Sequence, residues 1–137
     1  MSLLRKATPV LVVDRIEPVL PFWTKLGLTA TTEVPDQNAT DGRLAFVILA
    51  GDGVEVMYQT AASVQEDLVK SASAKDAFRA TPQQTTLYVE VGSLADVESR
   101  LLGELVVMPQ RKTFYGSSEI GYADPAGNIV VFAEHHA

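Results

Sequence analysis

The chain contains no cysteine, which removes disulfides, zinc–thiolate sites and cysteine nucleophiles together. It has no apolar run approaching the roughly 18–20 residues of a membrane-spanning helix, and its opening MSLLRKATP lacks the apolar core of a secretory signal. The expectation is a soluble, cytoplasmic protein with no membrane partner. Basic residues are in deficit: 11 Lys and Arg stand against 17 Asp and Glu, a formal charge of −6. Phosphate backbones are held by clustered cations, so no nucleic-acid partner is expected. Low-complexity segments are missing too, and 47% apolar with 20% charged residues is a globular composition. At 137 residues the chain has room for one domain with a real core.

What is present follows a repeated plan. Residues 8–13 (TPVLVV) are β-branched and apolar, and DRIEPVLPFWTKLGL follows. Pro18 and Pro21 fit only a helix start, where backbone N–H groups lack intrahelical partners, so a short or distorted helix ending at Gly27 is predicted. Residues 28–34 read as a strand and 35–42 (PDQNATDG) as a loop. Residues 43–50 and 54–60 read as antiparallel strands joined by a three-residue connection, Gly51-Asp52-Gly53. Ser63 followed by Glu66 has the capping-box spacing, placing a helix start at Ser63 that fades through SASAKDAF. The second half offers a strand at 85–91, a helix at 93–102 stopped by Gly103, and strands at 104–110, 118–123 and 128–134. The last two are joined by the tight turn Asp124-Pro125-Ala126-Gly127. The order βαβββ thus occurs twice, predicting an α+β fold of two modules within one domain. Their bounds are about 7–60 and about 85–135, with a connector of about 61–84. Two unrelated halves alike by chance are the alternative.

Two segments carry a family resemblance. PVLVVDRIEPVLPFWTKLGL resembles the opening strand and helix of bleomycin-resistance proteins, and YGSSEIGYADPAGNIVVFAE resembles their closing pattern of YG, Glu, DPxGN and a strand ending in FxE. The chain therefore resembles the vicinal-oxygen-chelate superfamily of glyoxalases, bleomycin-resistance proteins and dioxygenases. The resemblance implies mixed, curved sheets forming a concave pocket for a small-molecule ligand, and a homodimer. Metal-dependent relatives place ligands on the first, fourth, fifth and eighth strands, which fall here on Thr8, Glu55, Thr86 and Val131. One carboxylate with two hydroxyls and a hydrocarbon is far from a divalent-metal site, so no metal and no other cofactor is expected; a divalent metal is the alternative. His135 and His136 are adjacent on a strand end, their side chains diverge, and they read as a solvated tail.

Strand alternation sorts the remaining candidates. Leu11, Val13, Val56, Tyr58, Val130 and Phe132 fall on a uniformly apolar face suited to helices, together with Leu87 and Val89. The opposite face carries Thr8, Glu55, Met57, Thr86, Tyr88, Glu90 and Val131, a mixture of apolar walls and polar groups that suits a ligand. Tyr115 and Glu119 match family positions near the cavity mouth. The preferred expectation is metal-independent sequestration of an antibiotic or metabolite with apolar and cationic parts, and the acidic balance favours such a ligand. The rival is a lyase or dioxygenase of the same superfamily, either metal-dependent or metal-free with Glu55 or Glu90 as catalytic base, which requires a carboxyl pKa raised by burial. A third reading is an interaction domain without catalysis. Glu55 and Glu90 as solvated strand carboxylates, and Tyr88 and Met57 as packing residues, stay open beside all three.

Overall fold

The computed structural model describes residues 3–69 and 81–136. Strands β1 (Val10–Val13), β2 (Thr29–Pro35), β3 (Leu44–Gly51) and β4 (Val54–Thr60) form one mixed sheet in the order β1-β4-β3-β2. Strands β5 (Thr86–Glu90), β6 (Val106–Lys112), β7 (Ser117–Ala123) and β8 (Ile129–His135) form another in the equivalent order β5-β8-β7-β6. In each sheet the first strand pairs parallel with the last and the remaining pairs are antiparallel. The α+β plan with two equivalent sheets is as the sequence predicts.

Local chemistry sets most boundaries. Pro18 and Pro21 compress the first helix to a 3₁₀ turn, Glu17–Val19, and a five-residue α1 (Leu20–Thr24), and Gly27 ends the segment at φ +98°. The β3–β4 hairpin is tighter than the expected three residues. Gly51 pairs with Val54, so the loop is Asp52-Gly53, both at positive φ as a type I′ turn requires. The next helix also departs from expectation: α2 (Ala61–Val69) begins two residues before Ser63, and the Thr60 hydroxyl, not Ser63, accepts the Ser63 N–H at 3.2 Å. Ser63 is inside the helix, where Gln59 donates to its hydroxyl at 3.0 Å. The expected fading through SASAKDAF lies outside the described residues. In the second half the helix is shorter than the expected 93–102: Ser93 stands before α3 (Leu94–Arg100) as its cap, accepting from the Asp96 N–H. Strand β6 runs later than the expected 104–110, with register breaks on both sides of Met108, the second spanning Pro109, which is tolerated because β6 is a sheet edge.

The compact units are not the two halves of the sequence. The first comprises Met1–Glu17 and Leu28–Pro82; the second comprises Pro18–Gly27 and Gln83–Ala137. Within the first unit, α2 lies near β1, β3 and β4 and is tied to β4 by Gln59, which donates to Ser63 and Asp67 at 3.0 Å each, while Leu11, Val13, Val47, Leu49, Val56 and Tyr58 are buried. Glu17, the last residue before the chain leaves that unit, accepts the Leu44 N–H at 2.6 Å at the start of β3. Within the second unit, α3 lies on β7 and β8, and the Glu134 carboxylate accepts the Leu94 N–H at 2.7 Å. Phe22 of α1 belongs to this second core. Its ring stacks on Phe132 at 6.4 Å between centroids, and Phe132 in turn meets Tyr122 edge-on at 5.9 Å.

Phe22 and Phe132 are both fully buried. Phe22→Ala should therefore cost about 3–5 kcal/mol in urea-induced unfolding, the usual loss for a buried phenylalanine. A cost below about 1 kcal/mol would show that α1 is not part of the second core.

Candidate functional site

Pairing register decides which side chains share the helix-free face of the second sheet. Tyr88 pairs with Val131, Glu90 with Ala133, Ala133 with Glu119, and Glu119 with Arg111. The rung Glu90–Ala133–Glu119–Arg111 thus crosses all four strands. Ala133, fully buried and small, leaves room for Tyr88 to reach over β8 to Glu119. One rung along, Gly121 does the same for Met108: a Cβ on Gly121 would sit 2.8 Å from the Met108 Cβ.

Glu119 is the centre of this arrangement. It is 2% exposed, and its Oε2 accepts three hydroxyls, from Tyr115 at 2.7 Å, Tyr88 at 3.0 Å and Ser117 at 3.1 Å. Arg111 Nη2 lies 3.3 Å from Oε1. Ser117, two residues before Glu119 and on its face, hydrogen-bonds to Thr113 at 2.8 Å, while the Thr113 N–H donates to the Ser117 carbonyl and closes the β6–β7 hairpin. Gly116, at φ +84°, completes that turn. The turn carries Tyr115, which explains how a loop residue can hold a fixed place. Phe114, at the tip, is fully exposed and stands edge-on to Tyr115 at 5.1 Å.

The donors perturb the acid–base behaviour of the cluster. The Tyr115 hydroxyl, then those of Tyr88 and Ser117 and the Arg111 guanidinium, hold the Glu119 carboxyl below its ordinary value against a burial penalty that raises it. Desolvation followed by the hydrogen bond to Glu119 raises the Tyr88 phenol; for Tyr115 the bond to Glu119 comes first and desolvation second. Hydroxyls of both tyrosines are pinned inside while their rings stay half-exposed, at 50% for Tyr88 and 52% for Tyr115.

The other sequence candidates fall into separate groups. Thr8 and Glu55 meet in the first unit, where the Thr8 hydroxyl donates to Glu55 Oε1 at 2.9 Å and the Lys6 ammonium lies 2.9 Å from the same oxygen. Lys6 first, then Thr8, lowers the Glu55 carboxyl pKa, the opposite of what a general base requires. Met57 follows on the same face of β4, half-buried. In the second unit Thr86 and Glu90 are exposed on β5, and Val131 is buried beside Tyr88. The donor set at the family's metal positions does not suit a metal, because the one carboxylate already takes a lysine and a threonine and the β8 position holds a hydrocarbon. Among the described residues no cluster of three or more His, Asp or Glu is placed to hold one.

His135 is a correction. It is the last residue of β8, not a solvated tail: its Nε2 lies 3.1 Å from the Tyr88 hydroxyl and 3.8 Å from Glu90 Oε1. The expected divergence of the two histidines is seen, with His136 2.9 Å from the Ser118 hydroxyl. Sequence reasoning passed over Arg111, Ser117 and His135 as site residues. Alternation carried two positions back from Glu119 finds Ser117, and two positions on from Ala133 finds His135. Arg111 had no such signal, since the Pro109 irregularity offsets the phase of β6.

No family model matches the sequence, and no curated protein matches it either. Solved structures do. The chain is similar to a glyoxalase/bleomycin resistance protein/dioxygenase from Nocardioides, with 20% identity over 98% of this chain and 86% of that one and a TM-score of 0.64. TioX from Micromonospora sp. ML1 is 13% identical over 96% of this chain and all of that one, with a TM-score of 0.69. A bleomycin-binding protein complexed with bleomycin is 12% identical over 97% of this chain and all of that one, with a TM-score of 0.63. Likeness at such identities shows the fold, which this chain shares with the glyoxalase/bleomycin resistance and bleomycin-binding structures.

The Glu119 cluster has a signed pH dependence. A lowered carboxyl pKa contributes stability that is present above the ordinary value of 4.5 and lost as pH falls through the folded value. Raised phenol pKa values contribute stability that is present below 10.0 and lost as pH rises through the folded values. Urea midpoints measured against pH should fall on the acid side in the native protein and less so in Glu119→Gln. Ultraviolet titration should find Tyr88 and Tyr115 ionising above 10.0. Ionisation of either below that value would contradict the cluster as described.

Proposed function

We propose that this chain, on the fold of the bleomycin-resistance and glyoxalase structures, binds a small, flat, partly cationic molecule without a metal, on the helix-free face of the β5–β8 sheet. The observation that carries the reading is the pair of half-exposed tyrosine rings whose hydroxyls are anchored on one buried carboxylate. Rings fixed before the ligand arrives lose little freedom on binding, and their faces attract cations. The charge around them agrees: the carboxylates of Glu90 and Glu119 stand against the single guanidinium of Arg111, in a chain of formal charge −6. Bleomycin in the bleomycin-binding protein supports small-molecule binding as a use of this fold.

Catalysis by Glu55 or Glu90 as a general base has less support. Lys6 and Thr8 hold the Glu55 carboxyl below its ordinary value, the wrong direction for a base, and the Glu90 side chain is 71% exposed at the sheet edge.

Benzamidine, an aromatic amidinium, is a direct probe. It should bind with a Kd of about 1 mM or tighter, read from shifts of the Tyr88 and Tyr115 ring resonances, and Tyr88→Ala should weaken it about five-fold or more. No shift in either ring at about 20 mM benzamidine would refute the reading. Elemental analysis of the purified protein should find no stoichiometric transition metal; about one zinc, iron, manganese or nickel per chain, lost on Glu55→Ala, would move the function to metal chemistry.

A homodimer belongs to the same proposal. Each sheet is open, and the edge strand β6 and the segment before it expose Leu105, Val106 and Val107. Exposed apolar edges are commonly covered by association. Sedimentation equilibrium should give twice the chain mass of 14.8 kDa. A monomer at all accessible concentrations would refute this part.

A further inference from the structure

We infer that His135 presents its Nδ1 as the proton-accepting atom of the candidate ligand face, held in the Nε2–H form by a relay through Tyr88 to Glu119. The inference deepens the proposed function and rests on it, because it names what the ligand must carry beside the flat ring: an N–H or O–H donor aimed at Nδ1.

Proton counting along the chain of contacts leads there. A carboxylate has no proton to give, so in the Tyr88–Glu119 contact at 3.0 Å the phenol is the donor. A phenol carries one proton, and Tyr88 has now placed it. The contact between the Tyr88 hydroxyl and His135 Nε2, at 3.1 Å, must then be donated by the histidine. With the proton on Nε2, the lone pair of the neutral ring is on Nδ1. Among the described residues nothing hydrogen-bonds to Nδ1, and the His135 side chain is 45% exposed. The ring also stands perpendicular to Tyr88, at 87° and 6.2 Å between centroids, so a flat molecule against Tyr88 has its rim toward the imidazole. Tyr88 and Glu119 act here as positioning residues, and the buried carboxylate is the fixed end of the relay.

The test is a long-range proton–nitrogen correlation spectrum of the imidazoles, taken on the alkaline plateau where a further rise in pH no longer moves the ring nitrogen signals. The chain has two histidines, and His136→Gln leaves one set of signals to assign. His135 should show the Nε2–H pattern in the free protein. In Tyr88→Phe, with an unchanged amide spectrum as proof of folding, the preference should relax toward a mixture of tautomers. Adding benzamidine should move the His135 Nδ1 signal in the native protein. An Nδ1–H pattern in the free protein overturns the inference whatever binds, as does an unchanged tautomer in Tyr88→Phe. Benzamidine shifts confined to the tyrosine rings overturn the inference and leave the proposed function standing. Absence of any shift on this face removes the proposed function and this inference with it.

Discussion

A carboxylate withdrawn from water must be supplied with donors or give up its charge, and Glu119 answers that demand with three hydroxyls and a guanidinium. Each donor comes from a different part of the second unit: Tyr88 from the parallel strand at one side of the sheet, Arg111 from the opposite edge, Tyr115 from the hairpin tip and Ser117 from the same strand. Satisfying one charge therefore fixes the relative places of β5, β6, β7 and the turn between the last two. The aromatic rings at the surface inherit that order, and so does the histidine beyond Tyr88.

The two faces of the second sheet are governed by different physics. On the helix side Phe22, Phe132, Tyr122 and Val130 are packed by area and shape, and one polar contact, Glu134 to the Leu94 N–H, sets where α3 begins. On the other side small residues matter most. Ala133 and Gly121 are the low points over which Tyr88 and Met108 extend, so the polar cluster is assembled through gaps left in the sheet.

Much of this was legible in the residues. Period-two alternation separated the apolar helix face from the mixed face, and the two family-like segments pointed to the fold. The capping spacing at Ser63 and Glu66 was misleading, because strand β4 ends at Thr60 and its hydroxyl takes the helix start. The prominence of Glu119 over Glu55 and Glu90 was not legible, because it depends on which strand lies inside the sheet and on how far a tyrosine can reach across a neighbour. His135 was misread for a related reason: tail position suggested solvent, whereas strand pairing continues to Ser117↔His135.

The assignment of residues 18–27 to the second unit has a consequence for how the chain can be divided. A cut between Pro82 and Gln83 would separate the sequence into halves of similar plan, yet the C-terminal piece would leave behind the Phe22 ring that covers Phe132. The N-terminal piece would keep the first unit whole and carry residues 18–27 without the sheet they pack on, while the C-terminal piece would have Phe132 uncovered, so the boundary of the second unit is discontinuous in the chain.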